Sequence, residues 1–115
     1  MTKIANLKQT IGDTKIIPLV FRDSNGDFLD ITGSTVYLTV KTNIDDTDAN
    51  AVFQKIVTSH TDPTNGATTI EVEPSDTSSE EPSEPFYDIQ ITQSTGKIST
   101  VMTGNYVLTR QITNT

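Results

Sequence analysis

Apolar side chains in this sequence return every second residue, and that period limits what the chain can become. Val36, Leu38 and Val40 alternate with Tyr37, Thr39 and Lys41; Tyr87, Ile89 and Ile91 alternate with Asp88, Gln90 and Thr92. A period of two puts one set on a core face and the other toward solvent, as in a half-buried strand. The many threonines and valines are stiff at the β-carbon, suit a pleated surface and form helices poorly. No twelve-residue window carries the three-and-four spacing of an amphipathic helix, so at most one helical turn is expected, in a loop.

Turn signals divide the chain into about eight strands. They are read over residues 4–10, 14–22, 35–42, 52–58, 67–72, 85–92, 98–102 and 105–112, with a short extended piece at 28–31. Asn25-Gly26 and Asn65-Gly66 mark tight turns in which glycine supplies a positive φ. Residues 73–84 hold five acidic residues, Pro74, Pro82 and several serines with no apolar anchor, and read as a flexible crossing between two sheets. The expectation is one β-sandwich domain over residues 1–115, antiparallel and of seven or eight strands. The segments 4–10 and 105–112 are its candidate free edges.

Composition narrows the function. With no cysteine, disulfides and thiolate metal sites are excluded, and His60 is the single histidine. A formal charge of −7, with eight basic residues scattered from Lys3 to Arg110, argues against nucleic acid and anionic membranes as partners. No run nears the ~18 apolar residues of a membrane helix, and residues 1–10 lack the apolar stretch of an export signal. The reading is of a protein made in the cytosol, with its acidity serving solubility.

Three places resemble chemistry without completing it. Asp45, Asp46 and Asp48 share a loop, and the run from Asp46 opens like a calcium loop with oxygen ligands at alternate positions. Ala51 then stands where such a loop needs glycine, and Val57 where it needs a bidentate glutamate. These three aspartates are the weak metal candidates. Glu80-Glu81 lies in a Ser/Pro-rich segment, a poor scaffold for a carboxylate pair held at fixed separation. His60 with Ser59 and Asp62 has the letters of a catalytic triad, but neighbours in one loop do not supply its geometry. No catalytic residue, cofactor or small-molecule substrate is expected.

One organisation runs through most of residues 10–112. Gly12-Asp13-Thr14 precedes the apolar strand 16–21; Asp23-Ser24-Asn25-Gly26 follows, then Leu29-Asp30-Ile31-Thr32-Gly33-Ser34-Thr35-Val36. Later, Tyr87-Asp88-Ile89 leads through a turn to a strand carrying Gly104. This pattern resembles the immunoglobulin-like virion domains of tailed phages, such as the N-terminal domain of the baseplate upper protein family. The resemblance implies a non-enzymatic structural component of tail, baseplate or head, located in the virion. Its partners would be other virion proteins and copies of itself, and it has no active-site residues to transfer. The alternative is a β-sandwich that binds a ligand or carbohydrate through its loops, with calcium as a possible requirement. Because the aspartate loop lacks its completing ligand, millimolar calcium or EDTA is expected to leave the melting temperature unchanged. A calcium-saturable rise of several degrees, read by calorimetry, would promote the ligand-binding alternative.

Overall fold

The alternating segments form strands. The computed structural model describes residues 3–112, and within them the strands are β1 (Lys3–Ile4), β2 (Leu7–Thr10), β3 (Lys15–Val20), β4 (Thr35–Lys41), β5 (Phe53–Val57), β6 (Ala67–Val72), β7 (Phe86–Thr92) and β8 (Ile98–Thr109). A single α-helical turn, α1 (Pro74–Thr77), joins β6 to β7. The larger sheet runs β1–β8–β7–β4–β5, with β2 also paired to β8; β3 and β6 pair by themselves in the second sheet. The β3–β6 pair packs on the larger sheet to make a two-sheet β-sandwich. The all-β expectation therefore holds.

Its details are corrected in three places. The sheet is not wholly antiparallel, because β1 and β2 both run parallel to β8. The two final strands of the sequence reading are one twelve-residue strand, β8. Gly104, which falls between those two strand ranges, lies inside it. A β-carbon on Gly104 would sit 2.1 Å from the Ala5 carbonyl oxygen, so this glycine marks a close backbone approach, not a turn. The opposing chain pays for that approach by breaking between β1 and β2. There the Ala5 carbonyl accepts the Tyr87 hydroxyl, and the Asn6 side-chain oxygen accepts the Asn105 N–H at 3.1 Å. Residues 105–109 are consequently not a free edge: β2 lies on one side and residues 83–86 on the other. The edges of the larger sheet are β1/β2 and β5. In the small sheet, Pro18 of β3 lacks an N–H, which an edge strand tolerates.

The third correction concerns residues 73–84. The sequence reading found nothing there to anchor the chain, but Thr77 is fully buried and its hydroxyl accepts the Gly12 N–H at 2.9 Å. Asp76 accepts the Glu73 N–H at 2.8 Å and pairs with Lys55 at 3.0 Å. At the far end, Ser83 and Leu108 exchange backbone hydrogen bonds, and the Pro85 carbonyl accepts the Tyr106 N–H. The segment crosses between the sheets as expected, but it is pinned at both ends. The signal was present: Pro74 at the first helical position and an acid at the third are a helix start.

Between the sheets lie Ile17, Ile31, Val36, Leu38, Val40, Ile70, Val72, Ile89, Ile91 and Leu108, with the aromatic rings of Phe21, Phe53, Tyr87 and Tyr106. Tyr106 is at their centre, edge-on to Phe53 at 5.5 Å and to Tyr87 at 6.1 Å, an arrangement that aromatic quadrupoles favour. Val36, Leu38 and Val40 face the core as the alternation requires, but Thr39 on the outer face is only 8 % exposed. Gln54 covers it and donates its amide to the Thr39 hydroxyl at 2.9 Å.

Gly26 and Gly66 both have positive φ, 84° and 72°. No other residue type does among those described, so neither turn is the hairpin type with two left-handed residues. Gly26 instead lies within a tight turn, its N–H donating to the Asp23 carbonyl while the Asp23 N–H donates to that of Asp27, and Gly66 ends a 3-10 turn. A β-carbon at Gly26 meets open space, whereas at Gly66 it would lie 2.4 Å from the Phe21 carbonyl oxygen and 2.8 Å from that of Leu29. Gly26→Ala is therefore expected to cost about 1 kcal/mol, from strain alone. Gly66→Ala should cost at least about 2 kcal/mol by denaturant titration, because backbone must also move. Equal costs at the two positions would contradict the packing described at Gly66.

Candidate functional site

The outer face of the larger sheet carries a groove. Strand register assembles it row by row. Gln54, Thr39, Asp88 and Thr103 lie abreast across β5, β4, β7 and β8. Ile56, Tyr37, Gln90 and Thr100 form the next row on one side, and Lys41 and Phe86 stand opposite each other on the other. The period of two that buries Leu38 and Ile89 necessarily sends these side chains outward. The result is a groove of about 640 Å³ with a polar floor, bordered by Tyr37, Ile44, Phe86 and Ile98. Ile44 and Ile98 are more than half exposed, and Phe86 is 43 % exposed.

The charges on this face are unevenly satisfied. Lys41 and Asp48 form an ion pair at 2.9 Å, and the Gln54 amide reaches the same carboxylate at 3.4 Å. The Lys41 ammonium, by hydrogen bond and charge, holds the Asp48 carboxyl below its ordinary value. Asp88 differs. Partly buried among its neighbours, it accepts no hydrogen bond from any described residue, and loss of water raises its carboxyl above the ordinary 3.8. Lys41 opposes that rise and Asp48 adds to it.

The residues singled out in the sequence lie elsewhere or serve structure. Asp45 and Asp46 follow a turn in which the Asn43 side chain and carbonyl accept their N–H groups. Asp48 has turned to Lys41. Among the described residues no three of His, Cys, Asp or Glu are grouped to hold a metal ion. His60 does not approach a triad: its Nε2 donates to the Ser34 carbonyl at 2.7 Å, and Nδ1 pairs with the buried Thr68 hydroxyl at 2.9 Å. Asp62 instead accepts the Asn65 side-chain amide at 3.0 Å. His60 thus ties the β5–β6 connection to both its neighbours. The groove itself went unnoticed in the sequence, where Asp88 and Gln90 count as ordinary solvent-facing alternation. The available signal was two alternating strands whose outward positions include Tyr37, Lys41 and Asp88.

No protein-family model matches the chain, and no curated protein sequence matches it. The class is defined by structure: an all-β sandwich carrying a groove on the outer face of its larger sheet.

A raised carboxyl has a signed consequence. The folded chain holds the Asp88 proton more tightly than the unfolded chain does, so protonation stabilises the fold. That stabilisation is complete below the ordinary 3.8 and is lost as pH rises through the raised folded value. Asp48 acts in the opposite sense: its contribution is present above 3.8 and is lost as pH falls through its lowered value. Asp88→Asn is expected to raise the melting temperature at neutral pH, with the gain shrinking as pH falls through this window. A gain constant with pH, or a loss at neutral pH, would contradict the desolvation described for Asp88.

Proposed function

We propose that this chain is a non-enzymatic structural component of a tailed-phage virion, in tail, baseplate or head, and that it docks through the outer face of β5–β4–β7–β8. The observation that carries this reading is the groove itself. Protein interfaces combine aromatic and aliphatic contacts with polar groups, set on a surface rigid enough to keep its shape. Here aromatic and aliphatic side chains border a polar floor, and the four strands beneath are fixed by the core. The phage-like organisation of residues 10–112 supplies the setting. Repetition would supply strength, since weak contacts multiply when many copies dock around a symmetric particle.

Ligand binding is the second reading, and one observation favours it. Ile44 and Asp48, from the loop between β4 and β5, border the same groove as the strand residues. A loop joined to a concave sheet face is also how small ligands are held.

The two readings separate by experiment. Tailed particles produced from the genome that encodes this chain are purified, and the chain is quantified by mass spectrometry and located by immunolabelling. Multiple copies per particle are expected. The Tyr37→Ser/Phe86→Ser double variant should enter particles roughly tenfold less, as expected when interface aromatics are lost, while melting within a few degrees of the parent. Absence of the chain from purified particles would overturn the virion reading. Incorporation of the double variant at parental levels would overturn the choice of face. Glycan-array binding that the same substitutions abolish, with no chain in particles, would establish the second reading.

A further inference from the structure

We infer that the groove receives a cationic side chain, lysine or arginine, presented by the docking partner, with Asp88 as its counter-ion. The inference rests on the outer face being a docking surface and states what that surface selects.

The argument is one of donors and acceptors. On the floor, the Gln54 amide is spent on Thr39 and Asp48, and the Gln90 amide points to Thr100 at 3.3 Å. The Thr103 hydroxyl donates to the Tyr87 carbonyl at 3.1 Å. The Lys41 ammonium, the one cation lining the groove, is held by Asp48 at 2.9 Å. The Tyr37 and Thr92 hydroxyls, which can donate or accept, also line the groove; the charge left unmet is that of the Asp88 carboxylate, which no described donor meets. A carboxylate partly withdrawn from water and left without a hydrogen bond is costly, and a charged donor is the group that best offsets the cost.

The walls fit the rest of such a side chain. Lysine and arginine carry an aliphatic stem that packs on apolar surface while the charged head seeks a polar one. Tyr37, Phe86 and Ile98 border the groove around the Asp88 row, and the two aromatic faces also attract cations. An anionic group would meet Asp88 with no free cation to balance it. A purely aliphatic group would leave the carboxylate buried and unpaired. The chain's charge of −7 adds long-range attraction for a basic partner.

The test uses four small probes, each a short straight alkyl chain with a different head group, on the whole chain. They are n-butylguanidinium, n-butylammonium, n-butanol and n-butyrate, titrated at low ionic strength and followed by amide proton–nitrogen correlation spectra. Both cations are expected to shift the Tyr37, Thr39, Asp88 and Gln90 amides saturably, and added salt to weaken the effect. Asp88→Asn should weaken cation binding roughly tenfold, as for loss of a charged hydrogen bond, with the β3 and β6 resonances unmoved to show an intact fold. Glu71→Gln, on the outer face of the small sheet, should change nothing. Equal shifts with butanol, cation binding undiminished in Asp88→Asn, or no response to any probe would each overturn the assignment. None of these outcomes decides the docking face, which the particle incorporation of the Tyr37→Ser/Phe86→Ser variant reads independently.

Discussion

The fold depends on where one phenol is placed. Tyr106 is fully buried at the centre of the sandwich, and a buried hydroxyl without a partner would cost several kcal/mol. Its hydroxyl donates to the side-chain oxygen of Gln9, itself nearly buried, whose amide donates in turn to the Asp13 carbonyl at 2.8 Å. That chain of two hydrogen bonds fixes β2 in register on β8 and sets the start of the turn into β3. The ring packs edge-on against Phe53 of β5 and Tyr87 of β7. Desolvation pushes the Tyr106 hydroxyl well above its ordinary range, so it remains a donor at any ordinary pH. One side chain thus joins the edge strand, the long strand β8 and the far side of the larger sheet.

Rigidity at the centre allows an open surface outside. The aromatic cluster beneath β5, β4 and β7 holds the strands whose outward residues form the groove. Along β4, Leu38 and Val40 are fully buried while Tyr37, Thr39 and Lys41 line the groove, so one backbone serves both faces. Thr39 shows how far the outer face departs from plain solvent, since Gln54 nearly buries it. Asp88 is the point where stability is given up. Its neighbour in sequence, Tyr87, finds a hydroxyl partner in the Ala5 carbonyl, whereas the Asp88 carboxylate finds none in the described chain. Retaining an unmet carboxylate on a face bordered by aromatics is what distinguishes this surface from the acidic loops elsewhere.

Much of the architecture was legible in sequence because it rests on local chemistry. The alternation in β4 and β7 gave the core faces, since a strand's side chains must point to opposite sides. Gly26 and Gly66 gave positive φ because their conformations are sterically closed to other residues. The absence of cysteine and the isolation of His60 removed whole classes of site. Where the local reading failed, a distant partner was responsible. Gly104 shows no special demand in its own strand until Ala5, ninety-nine residues away, lies against it. Thr77 resembles a solvated loop residue until the Gly12 N–H reaches it, sixty-five residues distant in sequence.

The sequence by itself determined that the chain forms β-strands, which residues of β4 and β7 face inward and that Gly26 and Gly66 sit in turns of positive φ, because each follows from the periodicity and sterics of a few adjacent residues. Only the tertiary structure decided that β1 and β2 run parallel to β8, that residues 73–84 are pinned, and that Asp88 stands unpartnered in a groove. These are contacts between strands far apart in the chain, and their free energy depends on which groups meet and which are kept from water. Alternation puts Asp88 on the outside; only the neighbouring strands determine how much water is left around it.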